Sequence, residues 1–150
     1  MFVKPSIGNT GAISAFTLME VVLAIAIGGI LISGMMLGYI QAAIRAEWSA
    51  HSLAAQSLAV MRLEQARAAK WDRLAYPPLD QLVSGNFPLT VEVLDIPVTG
   101  TNIAYATNLT TVTTISTTPP LKMIRVDCIW AFGSRGVFTN TVATYRAADQ

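Results

Sequence analysis

One carboxylate stands alone in the amino-terminal third of this chain of 150 residues. Glu20 is the only charged residue between Lys4 and Arg45, and it follows Phe16, Thr17, Leu18 and Met19 at the head of the longest apolar run, AFTLMEVVLAIAIGGILISGMMLGYIQAAI over residues 15–44. About 20 apolar residues cross the ~30 Å hydrocarbon layer as a helix, so 21–44 is long enough with some tilt. A lone charge at the edge of such a span costs about 1 to 3 kcal/mol, and in low dielectric it attracts a cation far more strongly than in water. Ion pairing is therefore the chemistry Glu20 offers. An interfacial acid that simply reaches headgroup water is the local alternative.

Little else in the chain has the makings of a reactive site. Cys128 is the only cysteine, which rules out an intrachain disulfide, and it is expected to pack as a small apolar side chain. With His51 the only histidine, a Cys/His metal site or a His-dependent triad lacks parts. His51 reads as a solvated or partly packed helix residue. Asp80, Glu92, Asp95, Asp127 and Asp149 are scattered and form no oxygen cage for calcium. No phosphate-binding loop is present, and a net charge of +1 leaves no footprint for nucleic acid. The expectation is a chain that is not an enzyme, takes no cofactor or metal and binds no nucleic acid directly.

The element that must position Glu20 is a long helix. No Gly or Pro occurs between Gly38 and Pro77, and that stretch is rich in Ala, Leu, Gln, Glu and Arg. This composition predicts one helix over 17–74, about 85 Å at 1.5 Å per residue, stopped by Pro77-Pro78. In its second half Leu53, Val60, Leu63, Trp71 and Leu74 fall on one arc, the face expected under a sheet. Ala55, Ala59 and Ala66 fall on another arc with Trp48, a small-residue stripe suited to a second helix or else ordinary helix-favouring filler. In the apolar half, Ala24, Gly28, Gly34 and Gly38 give small-xxx-small spacings for close helix packing; tolerated membrane glycines are the alternative.

Beyond a linker at 77–86 the chemistry changes to that of strands. Segments 87–98, 102–116, 121–132 and 136–146 are rich in Val, Ile, Thr and aromatics, with Gly, Pro or Ser between them. Ile124, Val126, Cys128 and Trp130 alternate with Arg125, Asp127 and Ile129, as in a half-buried strand facing the helix. Gly133-Ser134-Arg135-Gly136 closes a hairpin. The Thr-rich segment 99–118 reads as edge-strand dressing or a loop presenting hydroxyls. Asn108-Leu109-Thr110 matches a glycosylation triplet that is frequent by chance. The expected class is α+β, a long helix packed by a small antiparallel sheet.

The string Phe16-Thr17-Leu18-Met19-Glu20, with a leader before it and an apolar helix after it, resembles the prepilin family of type IV pilins and type II secretion pseudopilins. The likeness covers roughly residues 1–44. It implies removal of a leader (1–15) by a prepilin peptidase between Ala15 and Phe16, and methylation of the new amino terminus at Phe16. It also implies that Glu20 pairs with the amino-terminal cation of a neighbouring subunit during assembly. The residue before the cut is usually Gly in this family and is Ala15 here. The leader offers only Lys4 and the initiator amine as a positive-inside signal. An ordinary secretory signal fits poorly, because the apolar run is too long and the small residues that invite cleavage precede it.

The resemblance divides the chain into a transmembrane assembly helix (16–44), a periplasmic continuation (45–76), the linker and a pilin-like head (87–150). Partners would be other pilin or pseudopilin subunits and an inner-membrane assembly platform with its cytoplasmic ATPase. The helix-breaking Pro of many major pilins is missing from the span. Ala55-Gln56-Ser57-Leu58-Ala59, then Leu63-Glu64-Gln65-Ala66-Arg67 and Trp71, are similar to the matching segment of I-type minor pseudopilins and V-type minor pilins. Both features imply a minor subunit. The competing expectation is a single-pass membrane protein whose periplasmic sheet binds a ligand without polymerising.

Overall fold

The computed structural model describes residues 17–96 and 103–149. The expected leader, the cut at Ala15 and Phe16, and the start of the Thr-rich segment lie outside them. Helix α1 (Leu18–Arg67) has 50 residues. The chain divides into two compact units, Met1–Ala43 and Ile44–Gln150. In the first, the described residues are helical from Leu18 on, and every one is exposed except the half-buried Gly28. This helix is long and apolar enough to cross a membrane.

In the second unit the helix lies under a four-stranded antiparallel sheet in the order β3 (Thr90–Val93), β4 (Tyr105–Thr117), β5 (Pro120–Ala131), β6 (Val137–Ala147). Neighbours in space are neighbours in sequence, so the sheet needs no crossover connection. Gly133 and Gly136 have positive φ (48° and 125°) in the β5–β6 turn, a backbone shape that favours glycine. On β5 the expected alternation holds: Ile124, Val126, Cys128 and Trp130 are buried beside exposed Arg125. The α+β architecture of a long helix and an antiparallel sheet is thus present.

Two expectations about the helix need correction. It ends at Arg67, not near Leu74: the amide of Ala68 still bonds the Glu64 carbonyl (3.0 Å), that of Ala69 turns to Ala66 (3.2 Å), and Trp71 enters β1 (Trp71–Asp72). There it pairs with β2 (Leu79–Asp80), which lies inside the expected linker. Tertiary pairing overrides a favourable helix propensity here. Asp72 holds the chain after the turn, accepting from the amides of Leu74 (2.8 Å) and Ala75 (3.0 Å).

The buried face also differs. His51, Ala55, Ala59, Leu63 and Ala66, spaced by four or three, go under the sheet. Leu53 is 68% exposed and Leu74 82% exposed. The expected apolar arc borrowed Trp71 and Leu74 from beyond the helix, and without them the alanine stripe is the better face. Its short side chains let the sheet come close and let Trp130, Ile124 and Val126 fill the interior. The stripe receives its own sheet and not a second helix.

The Thr-rich strand does form an edge over part of its length. Strand β3 covers only the Tyr105, Ala106, Thr107 and Asn108 positions of β4. Farther along, the Ser84 hydroxyl stands in for a strand, accepting from the Val112 amide (2.8 Å) and donating to its carbonyl (3.2 Å). A register shift between Thr114 and Ser116 then blunts the edge.

The two helix faces are separable by mutation. Ala59→Leu, which overfills the contact, is expected to destabilise the head by about 1 to 3 kcal/mol. Leu53→Ala, on the exposed side, should stay within about 0.5 kcal/mol of the parent. Urea unfolding of the detergent-solubilised chain, followed by tryptophan fluorescence, measures both.

Candidate functional site

Glu20 sits in the first turn of α1 and is held by the residue just before it. The Thr17 amide donates to Glu20 Oε2 (2.8 Å), as does the Thr17 hydroxyl (2.9 Å), while the Glu20 amide donates to Thr17 Oγ1 (3.3 Å). This is a capping box, in which two orphan amides of the helix start are satisfied reciprocally and the carboxylate faces the positive end of the helix dipole. The signal was present in the sequence as Thr17-x-x-Glu20. It gives Glu20 a local task within its own helix start, one that any ion pair would have to share or displace.

Phe16 and Ala15 are outside the described residues. Gly28, Gly34 and Gly38, the expected packing glycines, each have open space where a Cβ would stand, so nothing described in the chain itself packs against them. Glu20 and these glycines are spread along one helix and are not brought together within one chain.

In the head, an aromatic group joins helix and sheet. His51 is buried, stacked on Trp130 (centroids 5.7 Å apart) and edge-on to Phe132 (5.1 Å), with Nδ1 2.9 Å from the Glu47 carbonyl. It is a core residue and not a solvated one, a packing role that its position in a polar-looking helix did not announce. The Trp130 indole donates to Asn140 Oδ1 (2.7 Å), and the Asn140 amide reaches Ser52 Oγ (3.2 Å) and Gln56 Oε1 (3.3 Å), tying β5, β6 and α1 together. Asn108 is 1% exposed, which closes the glycosylation triplet to modification in the folded head.

Four of the five scattered acids, all but Asp95, form ion pairs. Glu92 pairs with Arg62, Asp127 with Arg125, Asp149 with Arg146 and Asp80 with the buried Lys122 (2.5 Å). Lys122 also donates to the Leu82 carbonyl (2.7 Å) and lies 4.8 Å from the Trp71 ring centroid. A cleft of about 300 Å³ opens beside this group, walled by Trp71, Pro78, Pro120 and Arg73. Sequence reasoning missed it, since Asp80 and Lys122 are 42 positions apart with no motif between them. The Asp149 carboxyl is held below its ordinary range by the Trp71 amide first and then by Arg146. No cluster of metal-ligating side chains is found among the described residues. No protein-family model matches this chain, and no curated protein or solved structure matches it either.

Burial pushes the Cys128 thiol up from 9.0 to about 11. A raised value in the folded state means stability that is whole below the unfolded thiol's range and falls as pH climbs from about 8.5 toward about 11. Cys128→Ala should remove that alkaline component. In the parent chain at pH 8, iodoacetamide is expected to label Cys128 only when denaturant unfolds the head, which intact mass reads directly.

Proposed function

We propose that this chain is a minor pilin or minor pseudopilin, a structural subunit of a type IV pilus or type II secretion filament. In this reading the helix inserts in the bacterial inner membrane with the amino terminus cytoplasmic and the head periplasmic. A prepilin peptidase cuts before Phe16, and the subunit joins the filament through α1, driven by the assembly platform and its ATPase. One observation carries the proposal: a continuous 50-residue helix that has a lone carboxylate at its start, no further charge until Arg45, and an antiparallel sheet over its later residues.

The roles follow from physical chemistry. Glu20 supplies the acceptor for a neighbour's amino-terminal cation, and pairing in low dielectric rewards the correct axial stagger. Gly28, Gly34 and Gly38 let adjacent helices approach, since apolar side chains gain nothing from leaving lipid for one another. The head stays outside the membrane, and its satisfied ion pairs suit a structural part better than a reactive one.

The capping box supports a second reading. A single-pass anchor that never polymerises needs nothing from Glu20 beyond the bond to Thr17. Two substitutions separate the readings, because Glu20→Gln keeps an acceptor for the cap but removes the charge, whereas Glu20→Leu removes both. Both variants are expected to insert and to be processed as the parent is. Both should fall at least tenfold in the sheared filament fraction relative to the membrane fraction. Normal filament incorporation, secretion or piliation with Glu20→Gln would leave the cap as the only role of this residue and favour the anchor.

A further inference from the structure

We infer that the outer edge of β6 is a docking site for an extended, uncharged strand donated by another protein, which adds a fifth strand to the sheet. The Phe132 amide bonds the Gly136 carbonyl (3.0 Å), and the β5–β6 register then runs without a shift from Ala131↔Val137 to Leu121↔Ala147. In an antiparallel ladder each residue sends its N–H and its C=O to the same side, and sides alternate along the strand. Gly136, Phe138, Asn140, Val142 and Thr144 therefore face β5. Val137, Thr139, Thr141, Ala143 and Tyr145 turn theirs outward. Asp149 confirms the parity, because its outward amide bonds the Trp71 carbonyl (2.8 Å) where β1 covers the far end of the edge.

Among the described residues nothing pairs with the edge between Val137 and Tyr145. Folded proteins usually guard such an edge with charge, proline, a bulge or a short strand. The other side of this sheet does so, with the four-residue β3, the Ser84 stand-in and the register shift in β4. Strand β6 has eleven residues and an unbroken register, with neither Pro nor a charged side chain from Val137 through Tyr145. Arg146, its one charge, is held by the Ala69 carbonyl and Asp149.

The side chains state what fits. On the helix side a new strand meets half-buried Phe138 and Val142, and on the other it meets Thr139, Thr141 and Ala143. An antiparallel strand with apolar residues on one face and small hydroxyl residues on the other matches both, and a charged one would find no counter-ion between Val137 and Tyr145. A second copy paired antiparallel through the same edge does not match. Ser52 lies at Asn140 and Ala69 at Arg146, so α1 here runs in the direction of β6. An antiparallel β6–β6 pair would set the two helices head to tail, which two subunits inserted the same way in one bilayer cannot do. This exclusion of an antiparallel second copy rests on the membrane anchoring proposed above, while the open edge does not.

Hydrogen exchange tests the inference on the full chain in nanodiscs. The probe is a neutral, alternating Thr-Val strand of eight residues, appended after Gln150 through a flexible Gly/Ser linker that holds it at high effective concentration. Without the probe, the amides of Val137, Thr139, Thr141, Ala143 and Tyr145 should exchange fast and those of Phe138, Asn140, Val142 and Thr144 slowly. With it, the first set should slow at least tenfold. Thr141→Pro, which removes an outward N–H together with the hydroxyl bond to Asp127 on the exposed face, should abolish that slowing and leave the second set protected. The inference falls if the outward amides are already slow at all concentrations, if they ignore the probe, or if Thr141→Pro exposes the β5–β6 ladder. Protection that rises with protein concentration in the probe-free chain would give the edge to a second copy and overturn the donated strand. None of these readings depends on leader cleavage, so failure here is distinct from failure of the filament role.

Discussion

The close approach of the sheet to the stripe of Ala55, Ala59 and Ala66 sets the arrangement of everything else in the head. A helix whose contact face is mostly methyl groups leaves the interior volume to be filled from the sheet side, which is where Trp130, Ile124, Val126 and Cys128 stand. The large indole can be buried only if its N–H is bonded, so Asn140 is placed on β6 to accept it and is itself held by Ser52 and Gln56 of the helix. The aromatic group around His51 closes one end of this contact. Lys122, bonded to Asp80 and Leu82 over Trp71, closes the other. His51 and Lys122, the two of these that are buried, are each bonded, as the cost of an unpaired buried polar group requires.

Much of this was legible in the sequence, and the exceptions have physical causes. The helix start, the apolar run and the alternation along β5 are local patterns, and the structure contains them. The helix end was not legible, because residues 68–76 have good helix propensity and the event that ends the helix is the pairing of Trp71 with Asp80 and Asp149, which no window of sequence contains. That error carried Trp71 and Leu74 into the wrong helical arc and made the alanine stripe look spare. Between solvated and partly packed, the sequence does not decide for His51, for a related reason: its burial is set by Trp130 and Phe132, some 80 positions away, and not by its helical neighbours. At Glu20 the opposite happened. Attention to a lone charge in an apolar run concealed a capping signature that Thr17 completes three residues earlier.

The cap refines the proposed assembly chemistry. A carboxylate already bonded to an amide and a hydroxyl is partly solvated by its own helix start, which in the proposed role would lower the cost of holding it at a membrane edge before a partner arrives. Exchange of these bonds for a neighbour's amine is then a trade between a local and an intermolecular contact at the same oxygen. Such a trade favours assembly only if the amine exists, and in this proposal it exists only after the leader is gone. Proteolysis would thereby decide when an amine becomes available to Glu20.

The central claim is most directly tested at the amino terminus. The chain is purified from membranes with the prepilin peptidase present and with it deleted, and its amino-terminal sequence and intact mass are determined. The account predicts a mature chain that begins at N-methylated Phe16 only when the peptidase is present. An intact leader in both strains, or a cut at any other position, would contradict it and leave a membrane-anchored head with no route into a filament.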